Sequence, residues 1–95
     1  MNTAQEMALL NMLKVDLGIR STDSYDNRLT QIIKAAADFI TREGATLDYN
    51  SAEDLQLIVM YAAWIWRKRD TGDGMPRILR WALNNRILSE KMRTN

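Results

Sequence analysis

Ten consecutive residues from Leu57 to Trp66, Leu-Ile-Val-Met-Tyr-Ala-Ala-Trp-Ile-Trp, carry neither charge nor amide, and Arg67-Lys68-Arg69 follow at once. The run is too short to cross a bilayer, which takes about 20 apolar residues, and too long for a half-buried strand with alternating faces. It reads as a helix buried over most of its circumference. At about 100° per residue, Leu55, Ile58, Val59, Ala62 and Trp66 share one side, with Leu57, Met60, Tyr61 and Trp64 nearly opposite. Only the strip through Gln56, Ala63, Arg67 and Asp70 suits water. A helix with two apolar faces needs cover on both, and a chain of 95 residues has little protein to supply it. Part of that cover is therefore expected from another subunit.

The length sets one domain, residues 1–95, with a radius of gyration near ~12 Å. Cysteine and histidine are both absent, which removes disulfides, thiolate metal sites, the commonest general base and the commonest transition-metal ligand. The expectation is a protein that is not an enzyme and uses no cofactor or metal. Glu6, Lys14 and Asp16 interrupt the apolar residues of the amino terminus, so no signal peptide and no membrane association are expected. Residues 1–50 hold five bases and seven acids, residues 51–95 eight bases and five acids. That asymmetry falls well short of the basic stripe of a dedicated nucleic-acid binder, and no repeat or low-complexity tract divides the chain.

Four helices follow from end signals and periodicity, giving an all-α fold, a small bundle. The first opens at Thr3-Ala4-Gln5-Glu6, a capping-box pattern, stops at Gly18, and sets Leu9, Leu10, Leu13 and Leu17 on its apolar side. The second begins within Ser21 to Tyr25 and ends at Gly44. Leu29, Ile32, Ile33, Ala36 and Ile40 form its inner face, and Lys34, Asp38 and Arg42 a solvated ladder. The third opens at Ser51-Ala52-Glu53-Asp54 and closes with Arg67-Lys68-Arg69, matching both ends of the helix dipole, before Thr71-Gly72-Asp73-Gly74 breaks it. The fourth starts at Pro76 and runs to about Lys91, with Ile78, Trp81, Ala82 and Leu88 on one side and Leu79, Leu83 and Ile87 on another. Met92 to Asn95 are expected to fray.

None of these features forms a catalytic constellation. Glu53-Asp54 and the pair Asp70/Asp73 read as caps and loop solvation, and Thr71-Gly72-Asp73-Gly74 lacks the Lys-Ser/Thr ending of a phosphate loop. Arg67, Lys68 and Arg69 point in different directions on a helix and complement its carboxyl end; they are also the candidates for a DNA- or channel-facing group. Trp64 and Trp66 cannot face the same neighbour, and aromatics favour both cores and interfaces. Trp66 is assigned to the intrachain side with Ile58, Val59 and Ala62. Trp64 is assigned, with Leu57, Met60 and Tyr61 and with Leu79, Leu83 and Ile87 of the fourth helix, to a subunit interface.

The order of a Leu-rich first helix ending Leu17-Gly18-Ile19, a second helix with Leu29, Ile32-Ile33, Ala36 and Ile40, a third ending Trp64-Ile65-Trp66-Arg67, and Met75-Pro76-Arg77-Ile78-Leu79-Arg80-Trp81-Ala82-Leu83-Asn84-Asn85-Arg86 resembles the head-to-tail connector, or adaptor, proteins of long-tailed bacteriophages and prophages. The resemblance spans nearly the whole chain and is sharpest from Tyr61 through Asn85. It implies a structural subunit, about a dozen copies of which form a ring below the portal protein, extend the DNA channel and dock a downstream connector or tail-completion protein. It further implies a place at the head–tail junction of the virion, with assembly in the bacterial host cytoplasm, and at most weak, non-specific DNA contact. The chain beyond Leu88 is short for an arm reaching into a portal.

A closed ring of wedge-shaped subunits buries two opposite flanks of each, which accords with helices that are apolar in two directions. An alternative class is a small helical nucleic-acid-binding module using the basic C-terminal half, with Arg77, Arg80, Asn84 and Arg86 as its polar face. A partner-binding adaptor unrelated to phage would use the same apolar surface for a different protein.

Overall fold

Local signals set the ends of each helix. In the computed structural model, which describes residues 1–19 and 23–94 with the side chains of Asp70 and Thr94 excepted, α1 spans Thr3–Leu17, α2 Asp26–Arg42, α3 Ala52–Thr71 and α4 Arg77–Thr94. The capping box of α1 lies one residue upstream of the expected one. Asn2 Oδ1 accepts from the Gln5 amide at 2.8 Å and Gln5 Oε1 accepts from the Asn2 amide at 2.9 Å, so Thr3 is already helical. Gly18 ends α1 in the left-handed conformation at φ 72°, letting the Ile19 amide reach the Lys14 carbonyl at 2.9 Å.

Tyr25 precedes α2 without a side-chain cap; Ser21 and Thr22, expected cap candidates, lie outside the described residues. Ser51 caps α3 by accepting from the Asp54 amide, and Gly72 closes it at φ 68°. Pro76 stands immediately before α4, its carbonyl accepting from Arg80 at 3.1 Å. α4 runs on to Thr94, beyond the end near Lys91 expected from sequence.

α3 is the axis of the molecule and packs against all three other helices, while α4 touches little besides α3. Leu9 and Leu13 of α1, Leu29, Ile33, Ala36 and Ile40 of α2, Ile58, Val59 and Ala62 of α3, and Leu79 and Leu83 of α4 form one continuous core. The result is a plate, 45 × 31 × 18 Å. Its flatness accounts for a radius of gyration of 13.4 Å, larger than the size-based expectation.

The relative directions of the helices follow from contacts near their ends. Arg67, near the end of α3, lies 3.7 Å from Asp16 near the end of α1, so α1 and α3 run in the same direction. Arg86 of α4 reaches back to Asp54 at the start of α3, so α4 is antiparallel to both.

Candidate subunit interface

The residues assigned from sequence to a subunit interface do not form an open face. Leu57, Tyr61, Leu79 and Leu83 are buried within the single chain, and Met60, Trp64 and Ile87 are partly buried against the same core. The physical reason is that α3 obtains both its covers from its own chain: α2 lies over one side, and α1 and α4 flank the rest. Ala63, expected on the water-facing strip, is buried too, while Gln56 and Arg67 of that strip are exposed.

The two tryptophans of α3 share one burial class instead of dividing between core and surface. Trp66 is half-buried under Tyr25, edge-on at 5.4 Å. Trp64 is half-buried edge-on against Tyr61 at 5.5 Å, and its Nε1 donates to the Asp73 carbonyl at 3.4 Å. The interface assignment of Trp64 is therefore corrected: it closes the α3–α4 corner of its own chain.

α4 turns its other apolar side outward. Ile78 is 67 % exposed, Trp81 66 %, Leu88 55 % and Met92 71 %. With Asn85, also exposed, these residues repeat at spacings of three and four and make one straight ridge along the helix. What holds this orientation is a cluster on the inner side. Arg86 donates from Nε to Asp54 Oδ1 at 2.7 Å, from Nη2 to the Thr46 carbonyl at 2.6 Å, and from Nη1 to Glu90 Oε2 at 3.2 Å. Asp54 also accepts from the Asp48 amide at 2.8 Å. One guanidinium thus ties α4 to the start of α3 and to the α2–α3 loop.

Burial pushes the Asp54 carboxyl up, but its hydrogen bonds from Arg86 and Asp48 outweigh this and hold it below the ordinary carboxylate value. The hydrogen bond to Asp54 raises the Arg86 value against the effect of burial. Hydrogen bonds from Thr46 and then Arg86 lower that of Glu90. Glu53 and Asp54 both stand in the first turn of α3, as expected; Glu53 is exposed, whereas Asp54 is 2 % exposed and ion-paired, a role beyond capping and solvation. Arg86, counted among the polar residues of a base-reading face, is buried and unavailable for that role.

The three bases at the end of α3 separate as helical geometry requires. Arg67 lies over Asp16, Lys68 sits 4.3 Å from the centroid of the Trp64 ring, and Arg69 lies 3.6 Å over Trp66. All three are exposed, yet each is drawn to a different local partner, an ion pair or an aromatic face.

The second exposed stripe lies on α1. Ala4, Ala8, Asn11, Val15 and Gly18 are all exposed, with Val15 at 82 %, and they point away from Leu9 and Leu13. On α3, Val59 lines a hollow with Asn11 and Val15 of α1, whereas Leu57 lines another with Trp81 of α4. These two residues are about 160° apart around the helix, and Gln56 between them lines both hollows, so α1 and α4 stand on either side of one exposed strip of α3. Each of these two helices carries an uncovered stripe.

Among the described residues, no helix is long and apolar enough to cross a membrane. Comparisons with models of known families, with curated proteins and with solved structures gave no match.

Proposed function

We propose that this chain is a structural, non-enzymatic subunit of a head-to-tail connector, assembling as a closed ring below a phage portal, extending the DNA channel and docking the next connector or tail component. The observation that carries the reading is the pair of uncovered stripes, one on α1 and one on α4, of one flat subunit. A monomer gains nothing from an outward ridge of Ile, Trp, Leu and Met, whereas a ring built from heterologous contacts covers both stripes of every copy and leaves no edge free. The resemblance from Tyr61 through Asn85 supplies the phage context.

The nucleic-acid alternative is weaker on this geometry. Its polar face loses Arg86 to the core, Arg80 lies 3.3 Å from Glu43, and the Arg67-Lys68-Arg69 group is engaged locally. Native mass spectrometry and electron microscopy, on the protein alone and mixed with purified portal rings, test the proposal. A single closed species of fixed subunit number with a central channel is expected. A monomer, a dimer or an open filament under both conditions would overturn it.

A further inference from the structure

We infer that neighbouring copies join through a specific antiparallel helix pair, the outer ridge of α4 on one copy against the outer stripe of α1 on the next, with Asn85 opposite Asn11. The inference rests on the ring reading above and names the contact that closes the ring.

Three observations carry it. The first is spacing. The ridge Ile78, Trp81, Asn85, Leu88 and Met92 advances by three, four, three and four residues, and the stripe on α1, read backwards from Gly18 through Val15, Asn11 and Ala8 to Ala4, advances by the same steps. Antiparallel helices interlock when such stripes face each other. All ten residues are exposed.

The second is size. In the register that puts Asn85 against Asn11, Ile78 meets Gly18, Leu88 meets Ala8, and Met92 meets Ala4, so three large side chains fall opposite the smallest residues. Trp81 then lies over Val15, whose side chain is almost fully exposed in the single chain. Large against small is the pattern by which facing helices interdigitate. The one polar residue in each stripe meets the other, and a lone Asn in an apolar seam fixes register.

The third is position. Gln56 of α3 lines the hollow beside Asn11 and also the hollow beside Asn85, placing the two asparagines at one height on either side of the exposed strip of α3. Asp16 and Ile78 likewise share one trough near the other end of α3. A rotation about an axis parallel to the helices, without translation along it, therefore carries Asn85 of one copy to the level of Asn11 of the next. Because α1 and α4 are antiparallel within a chain, they are antiparallel across this contact too. A two-fold pairing of α4 with α4 would instead set Trp81 against Leu88 or its own copy, large against large.

The chain contains no cysteine, so two exposed positions can be tagged cleanly with Asn11→Cys and Asn85→Cys. Each single variant, and an equimolar mixture of the two, is oxidised at a concentration where native mass spectrometry follows assembly of the wild type. The expected result is a disulfide-linked pair in the mixture, at least tenfold more abundant than self-linked product from either variant alone. The double variant should give a ladder of linked multimers. Self-linking of Asn85→Cys alone at comparable yield would overturn the inference in favour of two-fold α4 packing. Rings that form without the mixed link would overturn it and leave the connector reading standing; absence of any oligomer would overturn both.

Discussion

Arg86 Nε donates to Asp54 Oδ1 across 2.7 Å in a place where the two side chains are only 5 % and 3 % exposed. The bond fixes α4 in rotation. With Arg86 and Glu90 turned inward beside Leu83, the ridge from Ile78 to Met92 has no direction left but outward.

Removal of one partner from this pair leaves the other charged and buried. Arg86→Met should therefore destabilise the monomer by about 3–5 kcal/mol, while Glu90→Gln, which retains an amide oxygen for Thr46 and loses only one charge at the margin of the cluster, should cost much less. Urea unfolding followed by circular dichroism would measure both. Equal, small losses would mean that the guanidinium is not what anchors α4.

The same cluster sets the acid limit of the fold. Asp54 and Glu90 have folded-state values below their unfolded ones, so the native state binds fewer protons and the stabilisation is fully present above the unfolded carboxylate values of about 4. It is lost as pH falls through the lower folded values. Unfolding free energy should be level from pH 7 to 5 and decline steeply below pH 4, and Asp54→Asn should flatten part of that decline. A decline centred near pH 6 would contradict the assignment.

Trp64 and Trp81 should respond differently to the same charge. Trp64→Asp breaks the Tyr61 contact and the link to the Asp73 carbonyl, and should lower monomer stability by about 2 kcal/mol or more. Thermal melts at a concentration too low for assembly isolate this effect. No change in melting temperature would restore Trp64 to the outer surface.

Much of the fold is legible in the residues themselves. The Ser51 cap, the Gly18 and Gly72 stops and the inner faces of α1 and α2 follow from local rules, because capping and helical periodicity act within a turn or two. The orientation of α4 does not. Both of its sides are apolar, and the side that is buried carries Arg86 and Glu90, so hydrophobicity alone favours the wrong face. What reverses the choice is Asp54, 32 residues away, and the Thr46 carbonyl, 40 residues away, a long-range pairing with no local signature. Sequence pattern alone therefore points to an interface on Leu79, Leu83 and Ile87, whereas the exposed ridge lies on the other side of the same helix.

DNA binding should be weak and indifferent to the bases at the end of α3. Each phosphate contact would add about 0.9 to the slope of log affinity against log salt. Because Arg67, Lys68 and Arg69 have separate local partners, changing all three to Gln should alter that slope by less than one unit. A salt titration on duplexes of different sequence reads this out; a slope reduced by two or more units, or discrimination among the duplexes, would favour the nucleic-acid-binding reading.

The most direct test of the assembly surface is sedimentation of the Trp81→Asp variant beside the wild type, with circular dichroism as the control for folding. Trp81 is 66 % exposed in the single chain, so a carboxylate there is solvated in a monomer and costly only where a second copy covers it. The account predicts a fully helical Trp81→Asp monomer that no longer forms the ring at concentrations where the wild type does. A variant that still assembles like the wild type would contradict it.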